Sequence, residues 1–562
     1  MGWMSWERFR CETNCAAFPD ACIDENLYRN MTERLAADGY LMAGYNMINI
    51  DDCWMADARD ADGVQIPNAT RFPSGMKYMG DFMHSRGIRF GLYTDEGTET
   101  CGGYPGSQGY EELDVQTYAS WGVDFIKVDG CHNDEAGFEV GYPAFGKALA
   151  ASGRDITFSC SWPAYLGDDE GAKPFQSFAD AGCDTWRNWN DVDNSWSSVV
   201  TIADHWGDYS SVLSENSGPG FGWNDPDMVL AGDDHYEEGQ DANGTSLRLS
   251  VDQAKFQLSI WSIVAAPLIM SNDLRTVPDE YKELLLNPEM IAVDQDALGV
   301  AGGRLNAEKN TTEAWARPLE DGSLAVALVN KGGGPGGLSD DCAWHVTPGA
   351  YRDAGAAGNI ECASWASLKK LRETCCGDSA CTTFSAYNGA FDETGLFGCT
   401  RNALAMDPSS ATRTVNADYD GWTKLSGGAG KGGRRGSSSS GSGSGSSSGS
   451  GSGKTFDDDD DDDAAETATV SVSFEALAEY VGVDAFFSAV SVCFLVLRAC
   501  VRALCCAVSS PHSCFFLRPP HRSTTQAVRD LWAREDLGTF AGGSFTAEVP
   551  STGVVFVKVT PS

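Results

Sequence analysis

Along the first 300 residues, short apolar runs alternate with longer helix-like stretches, and each run stops on charged or turn residues. Asn46–Ile50 ends on Asp51-Asp52-Cys53-Trp54, and Arg89–Tyr93 ends on Thr94-Asp95-Glu96. The run from Asp124 to Cys131 brings in Lys127, Asp129 and Cys131 with no turn between them. Ile156–Ser161 ends on Trp162-Pro163, Thr185–Trp189 on Asn190-Asp191, and a further short run on Trp223-Asn224-Asp225-Pro226-Asp227. The intervening stretches Asn26–Asp38, Met76–Arg86, Val115–Trp121 and Phe145–Ser152 stop at Gly39, Gly87, Gly122 and Gly153. Glycine suits the left-handed position that closes a helix. Helix, glycine, strand and charged loop, repeated in that order, predict βα units around a parallel sheet. Six or more such units over about 300 residues predict a (β/α)8 TIM barrel, whose usual size is roughly 250 residues. A doubly wound open sheet competes, but the Gly-rich phosphate loop expected after its first strand is absent.

Charge at the end of an apolar strand needs a reason, because an unpaired buried charge is costly. The cost is acceptable at a strand's carboxyl end, where a parallel barrel opens into its active site. Asp129 would be presented there on a rigid element, with Lys127 one alternation away on the same face. A purely structural ion pair is the competing reading. Recurrence of the pattern at other strand ends favours a site.

Composition narrows the classes. With 562 residues, 42% hydrophobic and 10% aromatic, the chain can bury a large core and holds two or three domains. A net charge of −40 leaves no basic stripe for phosphates and excludes nucleic acid as a partner. The run Asp457–Asp463 contributes to that charge as a solvated tail. Sixteen tryptophans suit stacking on sugar rings, and suit a core equally. Of 19 cysteines, eight precede residue 200, an even number consistent with four bridges and an oxidising compartment. No CxxC or HExxH pattern points to a metal, and the seven scattered histidines argue for none. Sequons at Asn30, Asn68, Asn243 and Asn310 lend weak support to secretion. Met1 runs straight into Gly2-Trp3-Met4-Ser5-Trp6 with no signal peptide, although the cysteines call for one. We therefore expect the transcript to extend upstream into such a peptide.

Taken in order, Gly2-Trp3, Trp6-Glu7, Asp51-Asp52-Cys53-Trp54, Lys127–Cys131, Trp186-Arg187-Asn188 and Trp223–Met228 resemble glycoside hydrolase family 27. This is the α-galactosidase and α-N-acetylgalactosaminidase family, and the resemblance covers about residues 1–330 and resumes near the C-terminus. It implies a (β/α)8 barrel followed by an antiparallel β-sandwich domain, and a retaining mechanism that uses no metal and no cofactor. It also implies disulfides pairing Cys11 with Cys53, Cys15 with Cys22, Cys101 with Cys131 and Cys160 with Cys183. A carbohydrate is the implied partner, a lysosomal, vacuolar or secreted location the implied setting, and a homodimer an assembly compatible with both.

Retaining cleavage needs one carboxylate as nucleophile and a second as acid and then base. Asp129 suits the nucleophile, because the nearby Lys127 favours its charged form. By resemblance Asp191 is the acid/base, with Asp193 two residues on as the alternative; its pKa is expected to lie above that of Asp129. The resemblance further places Asp51 and Asp52 on the sugar's 4- and 6-hydroxyls, with a loop turn or helix cap as the plainer reading. Trp6 and Tyr93 would wall the ring, and Lys127 would bond its hydroxyls. Cys101 and Cys131 would line the pocket, and Arg187 and Asp227 would hold the 2-position side; Asp225 is expected to be structural. Residues 159–165, Ser-Cys-Ser-Trp-Pro-Ala-Tyr, decide the substrate. Galactosidases of the family carry Glu and Leu where this chain has Ser161 and Ala164, next to Tyr165. The smaller pair leaves room for an N-acetyl group, which implies terminal α-linked N-acetylgalactosamine as substrate and galactose as a weaker one. An α-galactosidase and a non-catalytic galactose-binding lectin are the alternatives.

The distal chain is less regular. We expect the barrel over residues 1–300 and an antiparallel domain over 301–338 and 465–562. Its strands are read at Thr312–Arg317, Ser323–Asn330, Thr469–Leu477 and Val554–Val559. A Cys-rich insert over 342–425 resembles apple-like modules, with a disulfide-held spacer as the alternative. Residues 426–463 form a Gly/Ser and poly-Asp linker. Val481–Gln526 has no place in the domain and reads as intron-derived or disordered, so the mature message is expected to lack most of it. Its apolar stretch Ala485–Leu497 is too short to span a bilayer.

Overall fold

Eight short strands line up side by side: β1 (Gly2–Met4), β2 (Met47–Ile50), β3 (Arg89–Asp95), β4 (Phe125–Asp129), β5 (Thr157–Cys160), β6 (Thr185–Arg187), β7 (Trp223–Asp225) and β8 (Ile269–Met270). They form a parallel sheet in the order β7-β6-β5-β4-β3-β2-β1-β8. A parallel bridge between Val229 and Met270 joins its two ends. The Val229 N–H donates to the Ile269 carbonyl at 2.8 Å, and the Ser271 N–H to the Val229 carbonyl at 3.0 Å. The fold is the (β/α)8 barrel read from the alternation of apolar runs and helices.

The computed structural model describes residues 1–234, 248–305, 311–332, 467–474, 476–477, 525–540 and 544–560 in full, and the backbone of residue 561 and of five strands between 344 and 424. Two compact units are present, Met1–Gly334 with Ala465–Ser562, and Pro335–Ala464.

Side-chain caps start several of the barrel's helices. Asp24 accepts the Leu27 N–H at 2.9 Å ahead of helix Glu25–Ala37, and Asp134 accepts the Gly137 N–H at 2.9 Å ahead of Glu135–Ala151. Gly122, at φ +87°, closes helix Glu111–Trp121. The parallel register sets Tyr93 beside Lys127 and Lys127 beside Ser159, so the three share one face. The same register sets Asp95 beside Asp129 and Arg187 beside Asp225. Thr185–Trp189 was expected as one strand, yet β6 stops at Arg187. The Arg187 guanidinium takes the Trp189 and Asn190 carbonyls as acceptors, at 3.2 and 3.0 Å, which bends the chain away from the ladder.

After the barrel come β9 (Gly303–Arg304), β10 (Thr312–Pro318) and β11 (Leu324–Asn330). The second unit holds β12 (Trp344–Thr347), β13 (Ile360–Trp365), β14 (Cys381–Tyr387), β15 (Leu396–Asn402) and β16 (Tyr419–Lys424), an antiparallel sheet in the order β12-β16-β14-β15-β13. The first unit resumes with β17 (Thr467–Ser473), β18 (Gln526–Asp530), β19 (Glu535–Phe540), β20 (Ser544–Pro550) and β21 (Gly553–Pro561). Its antiparallel sheets are β19-β18-β21-β11-β10-β9 and β17-β20. The strand expected over Thr469–Leu477 ends at Ser473, because the Ser473 hydroxyl accepts the Ala476 N–H at 3.0 Å and turns the chain.

Strand β11 is buried on both faces. Leu324, Val326 and Leu328 pack with Val470, Val472 and Phe545 between the two antiparallel sheets. Ala325, Ala327 and Val329 point the other way and join the barrel's core with Trp315 and Phe556. Each fully buried Val or Leu contributes roughly 1.5–3 kcal/mol. Arg317, fully buried, donates to the carbonyls of Ser262, Asp294 and Val300 at 2.7, 3.0 and 2.9 Å, tying β10 to the barrel.

The side chains of the Cys-rich insert, the Gly/Ser and poly-Asp stretch, residues 481–524 and the sequons at Asn243 and Asn310 lie outside the described residues. Among the described residues no helix is long and apolar enough to cross a membrane.

Candidate active site

The loops at the carboxyl ends of the barrel strands bring the charged residues together. Asp129 ends β4 and is held from three directions. Its Oδ1 accepts the Tyr165 hydroxyl at 2.8 Å and the Gly130 N–H at 3.0 Å, and its Oδ2 accepts the Tyr93 hydroxyl at 3.2 Å. Tyr165 reaches Asp129 from a short 3-10 turn, Trp162–Tyr165, which follows Ser161. Gly130 permits the approach: a Cβ there would lie 2.8 Å from the Tyr165 ring. Disulfides join Cys11 to Cys53, Cys15 to Cys22, Cys101 to Cys131 and Cys160 to Cys183. The third lies against the site, with Cys101 Sγ 3.6 Å from Asp129 Oδ2 and Cys131 Sγ 3.4 Å from the Tyr165 hydroxyl.

Lys127 Nζ sits 3.0 Å from Asp51 Oδ2 and 5.2 Å from the centre of the Tyr93 ring, with Trp6 at 5.9 Å. Burial alone would lower its pKa, but Asp51, Asp129 and Asp227 outweigh burial and raise it. Asp51 and Asp52 each do loop work as well. The Asp51 carboxylate accepts the Asp52 N–H at 2.8 Å, and Asp52 accepts the N–H groups of Cys53 and Gly102 at 2.6 and 2.7 Å. Burial pushes Asp52 up to about 6 against those bonds. Asp51 is also raised, by burial first, with Lys127 opposing.

Arg187 forms the other pole. Its guanidinium meets Asp191 Oδ1 at 2.9 Å and Asp227 Oδ1 at 3.1 Å. Asp227 stands at φ +79°, a sparsely occupied conformation for a side-chain-bearing residue. It is held there by its N–H on Asp225 Oδ1 at 2.8 Å and by the Val192 N–H on its own Oδ2 at 2.8 Å. Asp225 is buried and spent on that contact, and burial pushes it up to about 6. A small cavity between the two poles is lined by Met4, Lys127, Ser159, Arg187, Asp227 and Ile269. Ser161 is buried and Ala164 half-buried at the start and middle of the turn that ends in Tyr165.

The comparisons bear on this constellation directly. The family described as alpha galactosidase A matches residues 1–296. The chain belongs to this family, glycoside hydrolase family 27. Alpha-N-acetylgalactosaminidase of Gallus gallus is 43% identical over 334 residues, 59% of this chain and 78% of the relative. Alpha-galactosidase A of Homo sapiens is 41% identical over 338 residues, 60% of this chain and 75% of the relative. Among solved structures, alpha-galactosidase I from Mortierella vinacea shares the fold with a TM-score of 0.59 at 20% identity, covering 100% of this chain and 96% of its own.

Within this family 27 site, the carboxyl of Asp191, expected to titrate above Asp129, lies below the usual carboxylate value. Enclosure pushes it up, but Arg187, Lys127 and Arg10 outweigh that. Asp193 turns away and accepts the Ser195 hydroxyl near the start of helix Trp196–Asp208. Sequence reasoning missed Asp95, Arg10 and Glu7. Asp95 Oδ1 accepts the Gly97 N–H at 2.6 Å and Oδ2 the Cys131 N–H at 3.0 Å, anchoring the loop beside Asp129. Burial, then the charge of Asp129, pushes it well above the usual range. Its place at the end of an apolar run was the available signal. Arg10 lies over the Trp6 ring, 5.6 Å from its centre, and pairs with the buried Glu7 at 2.5 Å; the Trp6-Glu7 motif was the available signal for Glu7, and no pattern marks Arg10.

Proposed function

We propose that this family 27 glycoside hydrolase removes terminal α-linked N-acetylgalactosamine, and galactose more slowly, by a retaining double displacement. The observation that carries the reading is Asp129 at the end of β4, gripped by two phenols, with Asp191 held on Arg187 and both carboxylates acting on Lys127. Asp129 attacks the anomeric carbon as the glycosidic bond breaks and Asp191 gives its proton to the leaving oxygen. Asp191 then takes a proton from water, which displaces Asp129 and releases the sugar with its α configuration retained. Lys127, paired with Asp51 inside the barrel mouth, keeps positive charge close to the attacking carboxylate. Turnover requires Arg187 to leave Asp191, since the pair holds the acid ionised. The sugar's 2-substituent, received on the side of Arg187 and Asp227, supplies the competing contact.

Support for the N-acetyl sugar comes from the small side chains of Ser161 and Ala164 beside Tyr165, together with the name of the 43% identical relative. A lectin has no need of both catalytic carboxylates. Four disulfides favour an oxidising compartment, and we place the protein in a lysosome or vacuole or outside the cell. A fluorinated sugar that forms a stable glycosyl-enzyme tests the reaction. Mass spectrometry of the digested, labelled protein should find the sugar on Asp129, and a label on any other carboxylate would overturn the assignment.

A further inference from the structure

Beneath the loop that carries Asp191 lies a buried polar network with no place in the reaction above. Glu170, Lys173, Asn188 and His205 are all buried, and Glu170 and Asn188 are fully so. Glu170 Oε1 accepts from Lys173 Nζ at 2.7 Å and lies 2.8 Å from His205 Nε2, while Oε2 accepts from Asn188 Nδ2 at 3.3 Å. Lys173 Nζ also donates to the Asn188 carbonyl at 2.5 Å. The next residue, Trp189, stacks on the His205 ring with centroids 4.0 Å apart and planes 4° from parallel. Its indole N–H donates to Asp168 at 2.8 Å. The chain is therefore gripped at Asn188 and Trp189 before it reaches Asp191.

Buried ion pairs add little net stability, because desolvation offsets most of the attraction. An apolar cluster of the same volume would hold the fold as well. What charge adds here is direction: one carboxylate serves three donors from three segments, and two of those segments hold the loop. We propose that Glu170, with Lys173 and His205, is a positioning network that fixes the Asn188–Asp191 loop and keeps Asp191 aimed at the leaving oxygen. The inference rests on Asp191 being the acid/base. Glu170 acts through Asn188 and Trp189 and touches no reacting atom.

Glu170→Gln tests this, since an amide presents one NH2 where the carboxylate accepts, and so faces a donor with a donor. The full-length variant is compared with Asp191→Asn and the double variant. The substrates are two α-glycosides of whichever sugar the wild type prefers, one with an activated nitrophenol and one with an alkyl aglycone. The expected result is a loss of about 10–100-fold in kcat on the alkyl glycoside and less than about threefold on the nitrophenyl one, since an activated group needs little acid help. KM should hold, and Glu170→Gln should add nothing in the Asp191→Asn background. His205→Gln keeps a donor for Glu170 but loses the ring stack, and should show the same dependence if Glu170→Gln does not fold. An equal loss on both glycosides, an additive loss on top of Asp191→Asn, or a wild-type rate on the alkyl glycoside overturns the proposal. An Asp191→Asn variant with no leaving-group dependence would instead remove the acid/base assignment beneath it.

Discussion

Arg187 donates to Asp191 and pairs with Asp227, so in the proposed mechanism its position governs the protonation of the acid. With Arg187 in place, Asp191 titrates low. An acid must be protonated to act, so activity falls as pH rises through its pKa. The free enzyme governs kcat/KM and the bound complex governs kcat. If the sugar draws Arg187 away, the alkaline limb of kcat should lie at higher pH than that of kcat/KM. Coincident limbs would show that the pair survives binding. At this scale the sequence was most informative for Asp129, because a charge closing an apolar run has few explanations. It was least informative for Glu170 and for the Tyr165 contact with Asp129, which depend on how irregular loops turn.

Barrel strands β2 to β6 were legible because each apolar run stops abruptly on charged or turn residues, whereas β7, Trp223–Asp225, falls on the residues read as the end of a preceding run. Strand β8 was not, since Ile269–Met270 continues the apolar stretch that begins in helix Val251–Ile263 and shows no change of period. The early stop of β6 also escaped, because nothing in Thr185–Trp189 announces that an arginine will capture the next carbonyls. The antiparallel strands β10 and β11 were visible as alternation, though not that both faces of β11 are covered. Among the connections, the Cys101–Cys131 bridge joins the loops after β3 and β4 across a separation of 30 residues. In the loop-entropy model that closure contributes roughly 3–4 kcal/mol. Replacing both cysteines with alanine should lower the unfolding free energy by about that amount. It should also cut kcat/KM, since Cys131 touches Tyr165 and Cys101 touches Asp129. Denaturant unfolding and initial rates check the two effects separately.

Over the whole molecule, buried carboxylates set how stability depends on pH. Asp52 and Asp225 are pushed up to about 6 and Asp294 up to about 7, in each case chiefly by burial. Between about pH 4 and pH 7 these groups bind more protons folded than unfolded. Their contribution is therefore complete below about pH 4 and is lost as pH rises through 6 to 7. The net charge of −40 acts in the same direction, as self-repulsion eases on acidification. The melting temperature should be higher at pH 5 than at pH 7.5, and an optimum at pH 7.5 would contradict this account. Fold class and reaction class were both readable from the chain because the barrel repeats one pattern and the chemistry sits at its strand ends. In the proposed function substrate choice rests on only two side chains, Ser161 and Ala164. Initial rates on matched chromogenic α-N-acetylgalactosaminide and α-galactoside test it most directly. Burying one methyl and satisfying one hydrogen bond should together give on the order of 1–3 kcal/mol. The expected result is a kcat/KM about one to two decades higher on the N-acetyl sugar, reversed by Ser161→Glu with Ala164→Leu. A wild-type enzyme that cleaves the galactoside well and ignores the N-acetylgalactosaminide would contradict it.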